Sequence, residues 1–336
     1  MTSLALTELE LKDRLLGAIF GAALGDAYGV AAKDSSPEVL KARSLGFPRK
    51  EPVKGYPLND FGASTDLAVI LMRTFTSSRR SGVLAPESDF AGRLIKWIQG
   101  GFAELGDTQG LGCGVFTRQV ASLEDFAAAP FAAAGRAGAL PDGAAVARAA
   151  PCAFMPEPER WAELACRITH ADPRSSAACT AHTLLVKAMA EWRPSTVFPM
   201  KAVKAALEGG LARLGGDAAA AQEFLGWARA SRQLAAVGLS APRGQEFVYR
   251  ALACSVWAAR QLRAADSREK KRDAALFGEL VAAAALEGGA ADQNCAIVGA
   301  VAGAAVGFAG LPADWVKALP FGVWLQREAE AFLGAL

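Results

Sequence analysis

Two oxygen-rich turns each open onto an apolar run. One is Gly62-Ala-Ser-Thr65-Asp66 and the other Gly288-Gly-Ala-Ala-Asp292-Gln-Asn294. Side-chain oxygens at such positions cap the free N–H groups of a helix N-terminus, and hydroxyl and carboxylate oxygens together can hold a hard cation. Taken singly, each turn is read as an ordinary cap. A second constellation, Cys166-x3-His170 with Cys179-x2-His182, uses both histidines of the chain. On helices each pair falls on one face, and two thiolates with two imidazoles would suit tetrahedral zinc. The pairs flank a helix break at Pro173 and follow no standard finger spacing, so core cysteines and one or two polar-face histidines are the simpler reading.

The elements that must carry these groups read as helices. Gly17, Gly21, Gly25 and Gly29 recur at four-residue spacing in Leu11–Val30, and Cys295, Gly299, Gly303 and Gly307 repeat the pattern near the other end. Glycine costs a helix about 1 kcal/mol against alanine, so such stripes need close approach of two backbones as their reason. Both helices are therefore expected in the interior. Further helices are predicted over 65–77, 89–105, 161–170, 174–192, 201–214, 218–234, 245–264, 274–287 and 313–333, with Asp172-Pro173 as a start signal. The Ala-, Gly- and Pro-rich stretch 126–143 reads as irregular. Alternating β-branched runs are almost absent, so the fold class is all-α, and one compact domain over residues 1–336 is expected.

Composition excludes several classes. With 52% hydrophobic residues, the chain is not intrinsically disordered. A net charge of +2 gives no footprint for nucleic acid, and the mixed-sign run Ser267–Asp273 reads as a solvated connection. The N-terminal segment lacks a basic n-region, so no secretory signal is expected. The uncharged stretch Gln293–Ala313 matches a bilayer in length, but small residues fill it, and a buried core helix is preferred to a membrane span. Six scattered cysteines without a C-x-x-C pair read as reduced core residues. The expected location is cytoplasmic, or a host cytosol if the protein is exported. There is no Walker A loop and no G-x-S-x-G elbow. Gly110-Leu-Gly112-Cys-Gly114 has part of a dinucleotide fingerprint but no strand before it.

The order of segments resembles the ADP-ribosylglycohydrolase family, from about residue 10 to 320. The family's opening pattern, G-x-x-x-G-x-A-x-G-D-A-x-G, is similar to Gly17-Ala-Ile-Phe-Gly21-Ala-Ala-Leu-Gly25-Asp-Ala-Tyr-Gly29. Its T-D-D-T metal motif falls on Thr65-Asp66-Leu67-Ala68, and a glycine turn before a helix resembles Leu111-Gly-Cys-Gly-Val-Phe-Thr117. The G-N-G-A-A-M-R-x-x-P loop resembles Asp142-Gly-Ala-Ala-Val-Ala-Arg148-Ala-Ala-Pro151, and T-H-x-D-P is met in full by Thr169-His170-Ala-Asp172-Pro173. The late G-x-D-x-D-T-N motif falls on Gly288-Gly-Ala290-Ala-Asp292-Gln293-Asn294.

The resemblance implies hydrolysis of a glycosidic bond of ADP-ribose, with ADP-ribose or an ADP-ribosylated protein as partner and two divalent cations held by the acidic motifs. Thr65, Asp66 and Asp292 stand at metal positions, with Asp66 and Asp292 as the catalytic carboxylates, either of which would orient or deprotonate the attacking water. Leu67, Ala290 and Gln293 replace family ligands. Two divalent ions about 4 Å apart would face two carboxylates instead of four, leaving two charges uncompensated. A two-metal centre is therefore not expected; one weak Mg2+ or no metal is. The resemblance also implies a substrate surface of Gly112, Cys113, Gly114, Gly143, Ala144, Ala145, Arg148 and His170. Backbone N–H groups there would meet a diphosphate, while His170 would contact ligand or cap a helix end. The reading that follows is an atypical ADP-ribosyl hydrolase with a reduced site. Its alternative is an inactive member that binds ADP-ribose, an ADP-ribosylated protein or an ADP-ribosyltransferase.

Overall fold

The computed structural model describes residues 6–53, 55–82, 84–193, 196–242, 244–267 and 273–336. It is all-α, with no strand among the described residues and a single isolated antiparallel bridge between Asp142 and Phe247. Most of the Ser267–Asp273 connection lies outside the described residues.

The first helix, Glu8–Gly29, opens with a capping box: the Glu10 N–H donates to Thr7 Oγ1 at 3.2 Å and the Thr7 N–H to Glu10 Oε2 at 2.8 Å. From Leu15 onward it is buried throughout. Its glycine stripe lies directly on the Ala291–Val306 helix, itself buried almost from end to end. A Cβ added to Gly17 would fall 2.7 Å from the carbonyl carbon of Gly307, and one on Gly29 would fall 2.7 Å from that of Ala291. Each stripe glycine thus meets backbone, which cannot give way, and the helix-propensity cost is offset by two main chains in contact. Gly307 differs from the expected fourth member of its stripe. It ends the helix at φ +77, a conformation in which glycine is favoured.

Charge closes the same end. Arg14 donates to the carbonyls of Ala304 and Ala305, and Asp13 Oδ1 accepts from the Ala309 N–H at 3.0 Å. A guanidinium on the last carbonyls suits the negative end of the helix dipole. The stretch Glu8–Ala32 is long and apolar enough to cross a membrane, but 94% of its apolar window is buried inside the protein.

Asp172 caps Pro173–Ala190, accepting from the Arg174 N–H at 2.8 Å, as its sequence signals. Elsewhere boundaries shift for local reasons. The 89–105 expectation becomes Pro86–Gly100 and a short turn, Ala103–Leu105, because Gly101 takes φ +62. The 313–333 expectation splits into Ala313–Ala318 and Gly322–Leu333, since Pro320 forces Leu319 into extended backbone. Within 126–143, read as irregular, Pro130–Ala137 is a helix. Proline at its first position sets the turn, and Ala133 and Ala134 bury against the core.

Candidate functional site

The two acidic turns are brought together by the glycine-striped pair, because Ala63–Ser81 begins beside Asp26 of the first helix. Its N-cap is Gly62, which has no side chain to cap with. Asp26 supplies the cap from outside: Oδ2 accepts from the Gly62 N–H at 3.1 Å, the Thr65 N–H at 3.0 Å and Thr65 Oγ1 at 2.8 Å. Burial, with the nearby charge of Asp292, pushes the Asp26 carboxyl up to about 7. Its Oδ1 is buried without a hydrogen-bond partner.

Asp292 lies in the first turn of Ala291–Val306, where the N-terminal dipole favours a carboxylate. Its Oδ2 is 2.5 Å from Lys33 Nζ, and its Oδ1 is buried with no hydrogen bond. Burial alone would lower the Lys33 pKa, but the charge and hydrogen bond of Asp292, with Asp26 farther off, outweigh it and hold the ammonium protonated. Asp292 and Leu67 share one small cleft, walled by Ser64, Gly112, Gly114, Ala144 and Gln293. The cleft holds about 10 Å³, room for one water at most. Tyr56 packs beside it: a Cβ on Gly62 would lie 3.2 Å from the Tyr56 ring, and one on Gly112 would strike the phenol oxygen. Burial raises that phenol to about 12, so it is neutral.

The other expected ligands point elsewhere. Thr65 spends its hydroxyl on Asp26. Asp66 is buried, but its Oδ2 accepts from Trp97 Nε1 at 2.9 Å, and it does not line the cleft. Burial, with Asp26, Asp60 and Asp107 nearby, holds Asp66 well above the usual carboxylate range despite the indole bond. The family's metal pair does not fit these residues. Of the three expected ligand residues, only Asp292 faces the cleft, and one of its oxygens is bonded to an ammonium.

The expected substrate surface is corrected in part. Gly112, Gly114 and Ala144 line the cleft, and Cys113 is half-buried beside them, its thiol raised to about 11 by burial. Gly143 and Ala144 cannot offer their N–H groups to a diphosphate. The first donates to the Glu246 carbonyl at 2.8 Å and the second to Asp142 Oδ1 at 2.6 Å. Ala145 is wholly buried. Arg148 is 0% exposed and ties the loop to the next helix, donating to the Ala165 carbonyl at 2.6 Å and Thr169 Oγ1 at 2.5 Å beneath the Phe90 ring. His170 is also fully buried. Its Nδ1 is 2.7 Å from Thr169 Oγ1, and its Nε2 is 3.9 Å from Asp142 Oδ2. These two residues brace the loop from behind and are not presented to a ligand.

The zinc arrangement does not form. His182 Nδ1 pairs with Ser255 Oγ at 2.9 Å while His170 turns to Thr169, so the imidazoles serve separate partners. Burial lowers His182 to about 3, leaving it neutral. Among the described residues no three His, Cys, Asp or Glu side chains are grouped to hold a metal.

Sequence reasoning missed Asp26, Lys33, Tyr56 and Trp97. Asp26 carries a signal, being the one charged residue inside the buried part of the first helix. The other three carry none, since exposed or core roles suit a lysine, a tyrosine and a tryptophan equally well.

A helical core built on two glycine-striped helices, with acidic turns at the start of two helices meeting beside it, defines an ADP-ribosylglycohydrolase-type fold. The sequence profile of the ADP-ribosylglycohydrolase family matches residues 7–336, and the chain belongs to that family. The family hydrolyses glycosidic bonds of ADP-ribosylated substrates. Among solved structures, the chain is similar to one titled "ADP-ribosylglycohydrolase-related protein complex". The identity is 25%, the TM-score 0.60, and the match covers 97% of this chain and 99% of that one. Comparison with curated proteins returns no match.

Proposed function

We propose that this chain is a metal-independent ADP-ribosyl hydrolase, cleaving a glycosidic bond of ADP-ribose on a protein side chain or related adduct at the Asp292 turn. The observation that carries this reading is the free Oδ1 of Asp292, a buried acceptor on the cleft floor with no partner of its own. Glycosidic cleavage passes through an oxocarbenium-like state, for which carboxylates can supply both charge stabilisation and a base for water. Asp292 would take the proton of the attacking water as its oxygen bonds to the anomeric carbon, and would return that proton to the side-chain atom released when the glycosidic bond breaks. Asp26, beneath the floor, would position the Thr65 turn. Asp66, expected as the second catalytic carboxylate, is assigned no step, because Trp97 holds it away from the cleft. Substrate entry requires the cleft to widen, and Tyr56 is the side chain best placed to move.

The second reading is an inactive member that binds ADP-ribose, an ADP-ribosylated protein or an ADP-ribosyltransferase. The closed cleft and the spent N–H groups of Gly143 and Ala144 favour its inactive half, and they favour a protein partner over ADP-ribose itself. The two separate in one assay, using peptides ADP-ribosylated on arginine and on serine, with EDTA and with Mg2+. The hydrolase reading expects turnover that EDTA leaves unchanged and that Asp292→Asn removes. Absence of turnover with calorimetric binding of ADP-ribose overturns it in favour of the second reading.

A further inference from the structure

We propose that Lys33 is the resident cation of this site, holding Asp292 by its ammonium so that the cleft refuses divalent ions. The placement of Lys33 is fixed by the backbone. Immediately after it, the Asp34 N–H donates to the Gly289 carbonyl at 2.8 Å and the Gly289 N–H donates to the Ser35 carbonyl at 3.1 Å. This reciprocal pair clamps the exit of the first helix onto the turn that leads into Asp292. Gly289 takes φ +66, and a Cβ there would run into the Leu239 main chain, so the turn has no freedom to withdraw.

From that anchor the lysine side chain, 29% exposed, reaches inward to a carboxylate that is 5% exposed, at 2.5 Å. A buried charge persists when it is paired, and here the pairing group belongs to the chain itself. A hard divalent ion takes about six oxygen ligands. With Lys33 in place Asp292 offers one free oxygen, the unpartnered Asp26 Oδ1 and the Thr65 hydroxyl belong to residues that do not line the cleft, and Leu67 and Ala290 bring none. An ammonium is also a compact point charge and would repel any cation entering the cleft. The substitutions at Leu67 and Ala290 and the presence of Lys33 are then one consistent change, in which internal charge replaces bound charge. The inference stands apart from the hydrolase reading, because ion binding is read without ADP-ribose or turnover.

The test is Mn2+ titration followed by electron paramagnetic resonance, with thermal melts to establish folding. Two variants are compared, Leu67→Asp with Ala290→Asp, and the same pair with Lys33→Met. Loss of the lysine is expected to tighten Mn2+ binding at least tenfold, while the native chain shows none at millimolar concentrations. Equal affinities in the two variants, binding by the native chain, or no binding by the folded triple variant would each overturn the proposal. Should the triple variant not fold, Lys33→Glu in the native background is compared with the native chain by melting with and without Mn2+. Mn2+ is expected to raise the melting temperature of Lys33→Glu alone, and equal shifts in both proteins overturn the proposal.

Discussion

Asp66 and Trp97 are joined by a hydrogen bond from the indole Nε1 to the carboxylate Oδ2 at 2.9 Å. This contact turns an acid at a family metal position into a tie between Ala63–Ser81 and Pro86–Gly100. The neighbouring residue, Leu67, takes the place facing the cleft. One helix turn thus carries an acid that is present in sequence but withdrawn from the site.

Trp97→Phe removes the donor and leaves a buried carboxyl oxygen unpaired. A loss of about 1–3 kcal/mol in denaturant unfolding is expected. Asp66→Asn keeps an acceptor for the indole and is expected to cost less. A larger loss for Asp66→Asn than for Trp97→Phe would contradict this account.

The glycine stripe yields a contrast between two alanines. A Cβ on Gly21 would lie 3.0 Å from the Gly303 Cα and closer still to the Gly299 carbonyl. Gly21→Ala should therefore force the central helices apart, costing about 3 kcal/mol or more. Gly226 lies inside Ala218–Ala230 with nothing within 4 Å of its would-be Cβ. Gly226→Ala should stabilise by about 0.5–1 kcal/mol. Opposite shifts in melting temperature are the readout.

Stability should fall with rising pH across the mildly acidic range. Burial raises Asp60 from the ordinary carboxylate value to about 7, opposed by the Phe61 N–H and Arg49 and aided by Asp107. Between the unfolded value near 4 and the folded value near 7, the folded state holds the proton and the unfolded state does not. The stabilisation is complete below the lower value and is lost as pH climbs through the higher one. Asp26 and Asp66 are shifted in the same direction. Urea unfolding at pH 5 and pH 8 should show the protein less stable at pH 8 by about 1 kcal/mol or more. Asp60→Asn should narrow that gap, and an unchanged gap would remove Asp60 from the explanation.

Arg148 gives a test of bracing against ligand contact. Arg148→Lys keeps the charge but cannot reach the Ala165 carbonyl and Thr169 with one fork. Stability should drop by about 2–4 kcal/mol, while calorimetry should show the same response to ADP-ribose for the folded variant as for the native chain. A selective loss of affinity with unchanged stability would restore Arg148 to the ligand.

Much of this architecture was written in residue spacing. Four-residue glycine repeats at Gly17–Gly29 and in Cys295–Gly303, Asp172 before Pro173, and the scarcity of alternating apolar runs determined the helical class and the two interior helices. Periodicity and capping are properties of neighbouring residues, so a single chain displays them. Those patterns also marked the Thr65 and Asp292 turns.

What tertiary structure alone decided is how each charge near those turns is answered. Asp26 caps a helix that lies 36 residues on, Lys33 meets a carboxylate 259 residues away, and Arg148 and His170 turn inward where motif matching had them face a ligand. Electrostatic partnership depends on distance in space and on the exclusion of water. Neither quantity exists until the two glycine helices close on each other and fix which side chains are buried together.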